Sequence, residues 1–208
     1  WAGPIDGQQI PKNTKWVMHI DMQAFRDSAL GAAVRDKWLN RDEMRKHLDR
    51  IREATGMDPS EDILGVTFFD SQFKKHHGVA MIHVQNADGQ KLLVRLNEKE
   101  PENRMIEFGP HKIYLWSKEH HHGRKGDHAI CGTLYQERIM IFSRDLVKII
   151  DVLDVLDGKK AGLDADSSLG AEPNAGTTLL MRGEGLGEAK HTLRCPVLKD
   201  SKWFAIEV

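Results

Sequence analysis

The feature that most constrains the fold is a train of short apolar runs that follow one another from position 63 to 142, most of them separated only by turn residues. A parallel neighbour needs a crossover of about a dozen residues or more, so strands joined by tight turns must run antiparallel. The runs are Ile63–Asp70, Gly78–Val84, Arg104–Phe108, Lys112–Ser117, His128–Tyr135 and Arg138–Phe142. The polar stretch 71–77 reads as a hairpin connection and Gly109-Pro110 as a turn. Two more strands are expected at Thr178–Arg182 and Lys202–Val208. Ahead of the train, Trp16-Val17-Met18-His19-Ile20-Asp21 shows almost no alternation, which predicts a central strand covered on both faces.

Helical spacing appears in three places. Asp21 stands where an N-cap would, and Phe25, Ala29 and Ala32 with Leu30, Val34 and Trp38 predict about four turns of helix. Asn40 and Glu43 have capping-box spacing, Met44, Leu48, Ile51 and Thr55 recur on one stripe, and Gly56 closes the second helix. Its other face alternates in charge, as a solvated surface does. Ser143 is expected to cap a third helix with Leu146, Ile149, Ile150, Leu153 and Leu156 on one side and Gly158 at its end. From Lys159 to Thr177 the pattern is loop. The expected fold is therefore α+β, a mostly antiparallel sheet packed by three main helices. The strand near 178 and the glycines after it echo the opening strand, so residues 1–175 read as one α+β domain and 176–208 as the start of a second, similar repeat.

Charge narrows the partners. Thirty Lys and Arg against 31 Asp and Glu leave a net charge of -1, without the basic excess that nucleic-acid binding needs. No apolar window is long enough to span a bilayer. The first residues are small and polar and begin at Trp1, which fits a mature end left after signal cleavage or a trimmed chain, while the alternating run to Val208 reads as a fragment of something longer. The two cysteines, Cys131 and Cys195, form no CxxC; one disulfide is conceivable, and Cys131 in its apolar run reads as a core filler.

Several segments together resemble uncharacterised exported bacterial proteins of a domain-of-unknown-function type, in which a P-x-x-T-x-W/V-V-x-H-x-D strand opens a two-fold repeated α/β unit. Here that opening is Pro11-Lys12-Asn13-Thr14-Lys15-Trp16-Val17-Met18-His19-Ile20-Asp21. Gly56-Met57-Asp58-Pro59 with Asp62-Ile63, His111-Lys112-Ile113-Tyr114, and Leu153 to Lys159 also match. The resemblance implies an exported, periplasmic or secreted protein with an antiparallel α+β fold, and it brings no catalytic signature. It also tips Asp88–Asn97, which the residues alone leave between hairpin and helix, towards helix.

Two constellations could carry chemistry. In the tract Lys118 to His128, the imidazoles of His120, His122 and His128 with Glu119 or Asp127 could meet a transition metal. Three adjacent histidines among Lys118, Arg124 and Lys125 fit a solvated loop tip better, one that takes up metal only adventitiously. Second, His19 and Asp21 share one side of their strand, Asp70 ends another and His83 lies late in a third. Were those ends adjacent, they would make a metal-dependent hydrolytic site or an acid/base pair. The plainer reading gives Asp21 to a helix cap, Asp70 to a turn and each histidine to a satisfied position in the sheet.

Other signals fall to structure. Gly183, Gly185 and Gly187 form GxGxG rather than GxGxxG, beside a Glu184 that would repel phosphate. No GxSxG occurs. Trp16, Trp38, Trp116 and Trp203 lie within expected elements and read as core. The function expected is a non-enzymatic, exported cell-envelope protein without a cofactor, binding a partner protein or small ligand on its sheet face or in the cleft between repeats. A metal-dependent hydrolase or metal-binding protein is the alternative.

Overall fold

The computed structural model describes residues 5–39, 41–74, 77–85, 104–116, 130–186 and 201–208. Their strands are β1 (Trp16–Asp21), β2 (Ile63–Asp70), β3 (Val79–Val84), β4 (Arg104–Phe108), β5 (His111–Trp116), β6 (Ile130–Tyr135), β7 (Ile139–Ser143), β8 (Leu179–Glu184) and β9 (Trp203–Glu207). All nine join one sheet in the order β4-β5-β6-β7-β3-β2-β1-β8-β9, every neighbour antiparallel. The fold is α+β. Residues 176–208, expected to open a second repeat, supply the two strands beyond β1, with β8 hydrogen-bonded to β1 and β9 to β8.

The sheet buries one face more continuously than the other, which carries a smaller cluster of Val84 and Met140 with Met57. Val17 and His19 of β1, Thr67 and Phe69 of β2, Met81 of β3, Ile141 of β7, Thr133 of β6 and Ile113 of β5 lie on the deeper side, each in register with the next. Against them packs α4 (Leu146–Leu156), whose Ile149, Val152 and Leu153 are fully buried. Each such side chain contributes about 1.5–3 kcal/mol relative to exposure. Ile5, Ile10, Leu163 and Leu169, from the N-terminal segment and the loop after α4, extend the same core. On the opposite face Met18, Ile20, Val66 and Phe68 are only half-buried. β1 is thus interior in the sheet, as expected, but is not covered equally on its two sides; an apolar run without alternation did not reveal which side would be deep.

The expected four-turn helix is broken. Asp21 caps α1 (Met22–Asp27), its Oδ1 accepting from the amides of Gln23 and Ala24 at 2.9 and 2.8 Å. Ser28 is extended there and starts α2 (Ala29–Val34), its hydroxyl accepting from Gly31 N and donating to the Phe25 carbonyl. A serine hydroxyl that takes over backbone partners competes with helix continuation. A π-helical turn over Arg35–Leu39 leads to α3 (Asp42–Thr55), which ends at Gly56 with φ 70°.

The capping box expected at the start of α3 is not formed: Arg41 occupies the N-cap without a side-chain hydrogen bond, and Asn40 lies outside the described residues. Nor does α3 pack the sheet as a core helix; no side chain described on it is buried, because eight of its fourteen residues are charged. Ser143 belongs to β7. The cap of α4 is Asp145, whose carboxylate accepts from Val147 N, while the Ser143 hydroxyl accepts from Asp145 N. Trp116 is core, but Trp203 is 63% exposed on β9 at the sheet edge. The segments holding Asp88–Asn97 and Cys195 lie outside the described residues, and Cys131 is a buried free thiol.

Candidate functional site

At the C-terminal end of β1 the chain turns from strand into α1 at Asp21, and the loop that leads into β8 passes over the same place. Between them lies an open cavity of about 210 Å³. His19 and Leu180 form its floor, Asp21 and Ala24 one wall, and residues 172–178 the other. By volume it holds about seven water molecules, smaller than a drug-sized pocket.

Its loop wall is anchored from below. Arg182, buried on β8, donates to the Ser168 carbonyl at 3.1 Å and the Ala171 carbonyl at 2.5 Å, and pairs with Glu207 of β9 at 2.6 Å. Glu207 in turn accepts from the backbone amide and the side-chain amide of Asn174. The guanidinium of Arg182, followed by the Asn174 amide, holds the Glu207 carboxyl below the usual carboxylate range. Two strands and the loop are thereby fastened through one buried cation.

The floor histidine, His19, has a second histidine, His83, as its neighbour. Nδ1 of His19 meets the Thr67 hydroxyl at 2.8 Å. Gly65 stands opposite both Asp21 and His83, and a Cβ there would come within 3.2 Å of the His19 ring. The glycine leaves the space in which the two imidazoles approach each other across β2. His83 Nε2 lies 2.9 Å from Oε1 of Gln9, which only accepts, so Nε2 carries the proton. Burial first, and the neighbouring His19 second, push His83 from 6.5 down to about 4, against the pull of Asp6. His83 is therefore a neutral donor at neutral pH.

Of the four residues singled out as a possible hydrolytic set, the structure gathers three at this end of the sheet and leaves the fourth away from it. His19 and Asp21 line the cavity and His83 sits beside His19. Asp70 faces Trp16 at the opposite end of β1, five residues along β2 from Gly65, which is about 17 Å at strand rise. There it is fully buried and pairs with Lys148 of α4, whose ammonium also donates to the His77 carbonyl at 2.8 Å. The carboxylates of Asp21 and Asp70 therefore do not converge.

His120, His122 and His128, with Glu119 and Asp127, lie outside the described residues. Among the described residues no group of three or more His, Cys, Asp or Glu is placed to hold a metal ion. Gly183 closes on the Phe204 ring within β8 and Gly185 follows it at φ 68°, while Gly187 lies outside the described residues.

Two polar arrangements were not legible as such. His111 of β5 contacts the Asp157 carboxylate at 3.0 Å, and Tyr135 donates to the Leu156 carbonyl at 2.8 Å, clasping the end of α4 to β5 and β6. Hydrogen bonds from Lys159 and then His111 hold the Asp157 carboxyl below its ordinary value. The Arg182–Glu207 pair was hidden for the same reason: its members are 25 positions apart and meet only because β8 and β9 are adjacent.

No family model and no curated protein matches this chain. Among solved structures, crystal form IV of TP0453 superposes with a TM-score of 0.49 at 7% identity, covering 94% of this chain and 70% of that one. Form III gives a TM-score of 0.47 at 8% identity, covering 94% and 70%, and form I gives 0.45 at 6%, covering 90% and 66%. No helix among the described residues is long and apolar enough to cross a membrane.

Proposed function

We propose that this chain is a non-enzymatic binding protein that takes a small ligand in the cavity between β1, α1 and the 172–178 loop. The observation that carries this reading is the cavity itself, a concave space of about 210 Å³ with a buried imidazole in its floor and a tethered loop as its wall. Sites that bind small molecules combine such a largely preformed, mostly apolar space with a few fixed polar groups. Tethering the loop through Arg182 before a ligand arrives lowers the ordering cost of binding. The separation of Asp70 from His19 and Asp21 supports binding over metal-dependent hydrolysis by that set.

A fragment screen read by amide chemical shifts tests it. Bound fragments are expected to move the resonances of residue 24 and residues 172–178, and Ala24→Leu, which fills the wall, is expected to abolish those shifts. Shifts confined to other surfaces would end the reading. Export to the cell envelope is a second proposal, supported by the resemblance of the Pro11–Asp21 opening; fractionation of cells expressing the full-length protein checks it, and recovery only in the cytoplasm counts against it.

A further inference from the structure

Resting on that cavity reading, we infer that the ligand is a small organic cation, a primary ammonium group on a short apolar stem. Two carboxylates, Asp21 and Glu172, stand on opposite walls, and among the described residues no Lys or Arg lines the space. Asp21 spends Oδ1 on the amides of α1, and among the described residues its Oδ2 has no hydrogen-bond partner. That oxygen is held by the helix cap, so its position costs no further ordering. Glu172, exposed on the loop, adds a second negative charge to the lining.

Between the carboxylates the surface is apolar: Ala24, Pro173, Ala175 and Leu180. An ammonium held at the walls would lay its hydrocarbon stem over them. A carboxylate or phosphate ligand would instead meet two like charges with no Lys or Arg among the described lining residues to offset them, and like-charge juxtaposition disfavours binding. Arg182, buried beneath the loop, is already committed to Glu207 and two carbonyls.

The test is an amide-shift titration of the protein with butylamine, butyrate and 1-butanol at matched ionic strength. Butylamine is expected to shift residues 172–178 with a millimolar Kd and to bind at least tenfold tighter than either of the others. Asp21→Asn, which keeps the helix cap, and Glu172→Gln, on an exposed loop, are each expected to weaken butylamine about tenfold and so to narrow its margin over 1-butanol. Equal or tighter binding of butyrate or 1-butanol at the same residues would overturn the cation assignment and leave the cavity reading standing. Butylamine binding that both substitutions leave unaltered would overturn it too. Failure of all three probes to move residues 172–178 would remove the assignment, and with fragment hits absent there as well, the cavity reading with it.

Discussion

Mild acid should weaken this protein through the side chain of His83. His83 titrates near 6.5 when unfolded but at about 4 in the fold, because its ring is buried against His19 and fixed as a donor to Gln9. Between those values the unfolded chain binds a proton that the folded chain refuses, so stability falls as pH drops from 6.5 towards 4 and is flat above about 7. At pH 4.5 the difference amounts to about 2–3 kcal/mol, a large part of the 5–15 kcal/mol typical of a domain. The carboxyls of Asp157 and Glu207, held below their usual range, lose their contributions at lower pH and do so in any variant that keeps them.

His83→Gln removes the titration while keeping an amide that can donate to Gln9. Urea unfolding of the parent and of this variant at pH 7.5 and 4.5 isolates the effect. The parent is expected to lose about 2–3 kcal/mol more than the variant across that interval, on an unfolded-state proton uptake of one. Equal losses in the two proteins would refute the argument, since they would mean that the imidazole is solvated enough to protonate in place.

Three further outcomes follow from packing and charge. Lys148→Met strands the buried Asp70 carboxylate and should cost about 3–5 kcal/mol in chemical unfolding, with most of the loss recovered in the Asp70→Asn, Lys148→Met double variant. A single loss that the double variant fails to repair would show that the lysine acts through packing alone. Glu137 holds φ 59° without being glycine, in the turn between β6 and β7; Glu137→Gly should raise stability by about 1 kcal/mol, read as a higher melting temperature. Gly31→Ala would drive a Cβ to 1.8 Å from the Phe25 carbonyl oxygen at the α1–α2 break, and a loss of about 2 kcal/mol or more is expected in the same assay.

The antiparallel sheet was legible because strand pairing follows from what lies between the runs. The short turns at 109–110 and 136–138 permit only antiparallel neighbours, and the pairs β4-β5 and β6-β7 obey that. Helix ends marked by local chemistry were equally plain: the Asp21 carboxylate reaches amides two and three residues on, and Gly56 and Gly158 supply the left-handed turn that ends each helix. Where local signals competed, sequence reading failed. Ser28 looked like one more helical position until its hydroxyl was seen to cap a new helix, and Ser143 looked like the cap of α4 when Asp145, two residues later, fills that role.

The sequence by itself determined the α+β class, the meander and the placement of His19 and Asp21 on one side of their strand, since each depends on interactions within a few residues. Only the tertiary structure decided that His83 joins them while Asp70 departs, and that Arg182 and Glu207 fasten the loop above them. An antiparallel pair reverses direction. Residues at the end of one strand therefore meet the start of the next, so which side chains share an end of the sheet depends on register and strand order, which no short stretch of chain encodes.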